Sequence, residues 1–260
     1  MSSDSLLLLI TLVVIAAAML RHRDRKSEVD CIPEIEVAVR KAAELNRPAY
    51  FIPGSRDIDN IQTISALSML KVVARYCAEY DVELIIPVSK SMVMERAREV
   101  CNAAYEEAGF SDRWSSSQVS YTTDDPLGFV AHVDGMIARA KPAVCFMFGF
   151  FAGESLLLAE SSYNVAEVTI AGTAVPSQIP FFVASCDTTL IGEEFFAASA
   201  MLSGNQEDIA MLQGLDAGKQ LAIGIILAVV VLSYLTLIFK PEMYESFLTI
   251  VDNLLHGGGR

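Results

Sequence analysis

The 260-residue chain is poor in histidine and in clustered positive charge, and each shortage excludes a class of function. Its three histidines, His22, His132 and His256, stand far apart, two in terminal segments and one inside a predicted helix. Neither a Ser-His-Asp nor a Cys-His constellation is readily built from them. Nineteen Lys and Arg face thirty-two Asp and Glu, a formal net charge of −13. Over residues 27–218 the imbalance is steeper, twelve against twenty-seven, or −15. That excludes nucleic acid, whose binding needs clustered cations to displace counterions. The five cysteines, Cys31, Cys77, Cys101, Cys145 and Cys186, are widely separated and form no CxxC pair. Neither a metal site nor a redox couple is expected, and buried reduced thiols fit their apolar settings. No GxxxxGKS or GxxxxGKT occurs, and GFFAGES (149–155) is a GxxxG turn, a spacing that suits close strand–helix packing. No cofactor follows from any motif.

Long apolar runs, by contrast, are present at both ends. Residues 220–239 (QLAIGIILAVVVLSYLTLIF) carry no charge and are bordered by Lys219 and Lys240. At about 1.5 Å per residue such a run spans a hydrocarbon core of roughly 30 Å and predicts a transmembrane helix. Residues 6–20 (LLLLITLVVIAAAML) are followed by the basic cluster 21–26 (RHRDRK). A cleaved secretory signal would carry its charge before the apolar stretch, so an uncleaved anchor is expected in preference to a signal peptide. Positive charge beside a span stays in the cytoplasm. The expected organisation is an anchor with its basic flank (1–26), a cytoplasmic domain (27–218), a transmembrane helix (219–240) and an amphipathic tail (241–260) at the inner membrane.

In the middle domain, strand-length apolar runs alternate with helix-length segments. Strands are predicted at 49–53, 83–88, 118–122, 143–148, 167–171 and 180–185, and helices near 33–45, 57–80, 91–108, 126–140, 153–161 and 189–202. This alternation predicts an α/β fold, a Rossmann-like, mostly parallel sheet with helices on both faces. Only residues 172–179 separate the fifth and sixth predicted strands, too few for a helical crossover, so that pair is expected to be antiparallel or irregularly joined. The helix over 58–80 is more apolar than one sheet-covering face requires. Deeper burial and self-association both remain open as its cause.

Ligands of open α/β sheets bind at the carboxyl ends of strands. The residues read at those ends are Ser55 and Arg56, Ser89 and Lys90, Gly149, Gly153 and Glu154, Thr173, and Asp187 with Thr188. Hydroxyls, glycines and two cations in such loops can hold a small anion through helix N-termini. The same residue types also serve simply as turns and caps. Glu193 and Glu194 are adjacent on a helix and point apart, and Cys186 lacks a base, so no catalytic residue is assigned.

Residues 178–204 (QIPFFVASCDTTLIGEEFFAASAMLSG), with PAYFIPGS (48–55), FGFFAGESLLLAE (148–160) and TIAGTA (169–174), resemble a family of bacterial membrane-anchored proteins known only as a domain of unknown function. The likeness covers about residues 48–221 and implies a cytoplasmic α/β domain followed by an apolar helix; it implies no activity. The functional expectation is a membrane-anchored scaffold or interaction subunit, forming homo-oligomers or joining other membrane-protein subunits. The alternative is a sensor of a small anionic or nucleotide-type ligand at the sheet's carboxyl edge, with a hydrolase or transferase as the third reading. The tail 241–260 carries an apolar stripe with an acidic opposite face, which favours packing on a protein partner.

Overall fold

The computed structural model describes residues 31–203, 217–218 and 220–229. They fall into two units, one holding residues 31–203 and the other residues 217–218 and 220–229. The predicted anchor at 6–20, the basic cluster and the tail lie outside the described residues, as does the second half of the run 220–239.

In the larger unit the elements run α1 (Cys31–Leu45), β1 (Ala49–Ile52), α2 (Ile61–Tyr80), β2 (Leu84–Val88), α3 (Ser91–Glu107), β3 (Val119–Tyr121), α4 (Pro126–Ala140), β4 (Val144–Phe148), α5 (Ser155–Val165), β5 (Val168–Thr173), α6 (Ile179–Ser185), β6 (Thr188–Ile191) and α7 (Glu193–Ser203). Two short 3-10 turns precede β3. All six strands are parallel, in the order β3-β2-β1-β4-β5-β6. The fold is a Rossmann-like α/β layer structure.

Period-two alternation divides the core. Ala49, Phe51, Val144, Phe146 and Phe148 face α1, α2, α3 and α7, whereas Tyr50, Ile52, Cys145 and Met147 face α4, α5 and α6. Local chemistry sets the helix limits. Asn60 caps α2 by accepting from Gln62 N at 2.9 Å, and Asp81 ends it in the left-handed region at φ 58°. Asp125 caps α4 through Gly128 N at 2.6 Å, with Pro126 in the first turn, so this helix occupies its predicted span. The apolar excess of α2 is accounted for within the chain. Most of its side chains are buried, because it lies between α3 and α7 and also meets α1.

One stretch overturns the sequence reading. Residues 180–185, predicted as a strand, lie within α6, and the sixth strand is Thr188–Ile191, of which 189–191 fall in the span predicted as the last helix. An apolar run of six residues has no decisive period. Pro180 in the first turn suits a helix start, and only Phe182 of this helix is buried. The β5–β6 connection is therefore a fourteen-residue crossover (174–187), enough to keep the pair parallel rather than antiparallel.

In the smaller unit, residues 217–218 and 220–229 are helical and mostly exposed; Leu221, Ile225, Ile226 and Val229 are 46–65% exposed. Among the described residues no helix is long and apolar enough to cross a membrane.

Candidate functional site

Strand order reverses between β1 and β4, and the crevice beyond their carboxyl ends is where such folds bind ligands. Here the loops after these two strands touch. Ser55 N donates to Phe150 O at 2.9 Å. Gly54 and Gly149 permit the approach: both have positive φ, +84° and +121°. A Cβ on Gly54 would stand 2.5 Å from Phe150 O, and one on Gly149 2.8 Å from Pro53 O.

The polar groups around the crevice bind one another. Ser55 Oγ donates to Glu154 Oε1 at 2.6 Å, and both residues are buried. Beside them Thr173 Oγ1 donates to Gln178 Oε1 at 2.9 Å, with Gln62 Oε1 a second acceptor at 3.3 Å. The two glutamine oxygens also accept backbone N–H groups, Ala174 N on Gln62 at 2.9 Å and Phe151 N on Gln178 at 3.2 Å. These carboxamides join the loops after β4 and β5 to the start of α2. Neither glutamine is evident as a site residue in the sequence, because a lone Gln near a helix start carries no positional signal.

The other predicted residues separate. Arg56 is exposed, its guanidinium 4.7 Å from the Phe150 ring centroid. Gly153 lies open in the turn before α5. At the end of β2, Lys90 occupies the N-cap of α3 and pairs with Asp124 at 3.2 Å. Ser89 is buried, and its Oγ has no partner among the described residues; the same holds for Thr122 Oγ1 at the end of β3. Asp187 and Thr188 do not belong to this edge. Because 180–185 is a helix, they lie at the amino end of β6, where Asp187 Oδ2 accepts from Thr169 N (2.8 Å) and Thr169 Oγ1 (3.0 Å).

Cys186 is half-buried, and burial pushes its thiol up to about 12; burial does the same for Cys145. Neither is a nucleophile at neutral pH. Among the described residues no three His, Cys, Asp or Glu side chains are grouped to hold a metal ion.

The carboxyl edge also exposes apolar side chains. Ile61 and Ile64 on α2, Met92 on α3, Leu127 on α4, and Leu156 with Leu157 on α5 stand 43–68% exposed. All but Ile64 lie within the first three residues of their helices, and these four helices have no acid in the first turn.

A family model described as a domain of unknown function (DUF6754) matches residues 3–244. The chain belongs to that family. No curated protein and no solved structure matches it. The DUF6754 match takes in the whole α/β unit and both apolar runs of the sequence, so the family pattern includes the terminal segments as well as the sheet.

Proposed function

We propose that this DUF6754 chain is a membrane-anchored scaffold or interaction subunit whose α/β unit works on the cytoplasmic side. The observation that carries the scaffold reading is the closed switch point. Two loops in backbone contact, with Ser55, Glu154, Gln62, Thr173 and Gln178 bonded among themselves, leave the fold's customary ligand crevice filled by its own chain. What remains to be recognised is surface. Anchoring is supported by the charge-free run 220–239, whose described part is helical with its apolar side chains exposed.

Native mass spectrometry of the detergent-extracted full chain tests the scaffold reading. The expected species are the chain alone or the chain with protein subunits. A stoichiometric small molecule would favour the second reading, an anionic ligand at the edge. That reading draws on the unpartnered Ser89 Oγ beside Lys90 at the start of α3. In that case Arg56→Ala with Lys90→Ala should remove the ligand without unfolding the protein. Orientation has its own check: impermeant thiol reagent on intact cells should miss Ser116→Cys and reach Ser246→Cys, and the reverse pattern would reject the topology.

A further inference from the structure

We infer that the carboxyl edge of the sheet is a docking surface for a basic, apolar cytoplasmic segment of another integral membrane protein; this deepens the scaffold reading and rests on its orientation. Each helix that follows a parallel strand begins at this edge. Its first-turn N–H groups carry partial positive charge, and Asp or Glu is the side chain that stabilises them there. The chain instead places Ile61, Met92, Leu127 and Leu156 in the first turns of α2 to α5, exposed and outside both core clusters. These positions lie outside the core, and at α2 and α4 the first-turn N–H groups are already served by the caps Asn60 and Asp125; exposed apolar side chains beside satisfied helix starts are the pattern of a surface that a partner covers. Their helices pack in pairs, α2 beside α3 on one face of the sheet and α4 beside α5 on the other.

Charge selects the occupant. Around this edge the exposed Asp59, Asp125 and Glu194 face the cation Arg56, while Lys90 and Asp124 offset each other as an ion pair. Residues 27–218 together carry −15. A second copy of the chain and an anionic lipid surface both bring charge of the same sign. Integral membrane proteins concentrate Lys and Arg beside apolar spans on their cytoplasmic side, so such a segment supplies both the apolar contact and the opposite charge.

The test places a photo-crosslinking residue at Met92, at Leu127 or, as the control at the opposite end of α5, at Tyr163, in the full-length protein in its own membranes. Adducts are digested and the joined peptide sequenced. From Met92 and Leu127 a single distinct protein should be captured about tenfold more strongly than from Tyr163, a difference equivalent to a tenfold change in occupancy. The joined peptide should hold apolar residues next to Lys or Arg, and the yield should fall as salt screens the contact. Leu127→Glu with Leu156→Glu should remove the Met92 adduct while leaving the melting temperature unchanged. Adducts to a second copy, to lipid or to an acidic peptide, or equal yields at all three positions, would overturn the proposal, as would no adduct at all. Membrane fractionation of the same cells reads the anchoring separately, and a chain recovered outside the membrane fraction overturns that reading whatever the adducts show.

Discussion

The two ends of the sheet are held by opposite chemistry. At the amino end one side chain, Arg47, joins three connections. Its Nε donates to Lys141 O at 2.6 Å, its Nη2 to Pro142 O and Val165 O at 3.0 Å, and its Nη1 pairs with Glu167 at 3.1 Å. At the carboxyl end the fastening groups are acceptors: the oxygens of Asn60, Gln62, Asp125 and Gln178, each taking a backbone N–H. The polarity of a parallel α/β fold explains the difference. Helices finish at the amino end, where carbonyls lack partners and a guanidinium with five donors satisfies several at once. They begin at the carboxyl end, where N–H groups require oxygen. The amino end is therefore fixed by a cationic donor, and the carboxyl end by oxygen acceptors, the Asp125 and Glu154 carboxylates among them, and a loop contact that leave apolar side chains outward.

The strongest challenge to this comparison is at the loop contact. Gly54→Ala puts a Cβ against the Phe150 backbone at a positive φ, so a loss of about 3 kcal/mol or more is expected in denaturant titration. A loss under about 1 kcal/mol would mean that the carboxyl-end loops separate readily. At the amino end Arg47→Ala should cost about 2 kcal/mol, and Arg47→Lys should recover only a minor part, since an ammonium cannot span the three carbonyls. Full rescue by lysine would reduce the staple to simple charge. Gln178→Leu should cost about 1–2 kcal/mol by leaving Phe151 N without its acceptor and the Thr173 hydroxyl with the longer bond to Gln62 alone, with hydrogen exchange rising first in residues 149–154.

The smallest expected effect lies between the two ends, at Asp134 on α4. Burial holds its carboxyl above the usual range, with a hydrogen bond from Ser161 offsetting part of the shift and the charge of Glu160 adding to it. The folded protein therefore binds this proton more tightly than the unfolded chain. Stability falls as pH rises from the ordinary carboxyl pKa, about 3.9, through the raised folded value. Asp134→Asn should raise the melting temperature at pH 7 and lose that advantage in acid below the ordinary value. Equal melting curves at neutral pH would show that water already solvates the carboxylate.

Much of the architecture is legible in the residues. Asp125-Pro126 marks the start of α4, and AVCFMF reads as a strand buried on both faces because both alternations are apolar, as β4 is. The site is less legible. Ser55, Gly149, Gly153, Glu154 and Thr173 lie around the switch point as the strand ends imply, yet Ser55, Glu154 and Thr173 close the crevice through bonds to partners remote in sequence. Gln62 reaches Ala174 across more than a hundred residues, a pairing that no local pattern encodes. Asp187 and Thr188 fall at the wrong end because the assignment of 180–185 carried them with it.

By itself the sequence determined the layered α/β class, the parallel sheet's strand-helix alternation and the apolar terminal runs, since these rest on local periodicity and on length. Tertiary structure decided the rest. The six-residue run at 180–185 lacked a period, and its helical form lets β6 lie parallel beside β5. Ile61, Met92 and Leu127 are surface residues because each parallel strand delivers its helix to the same edge, where among the described residues no further layer covers the first turn, a placement that only the assembled sheet sets.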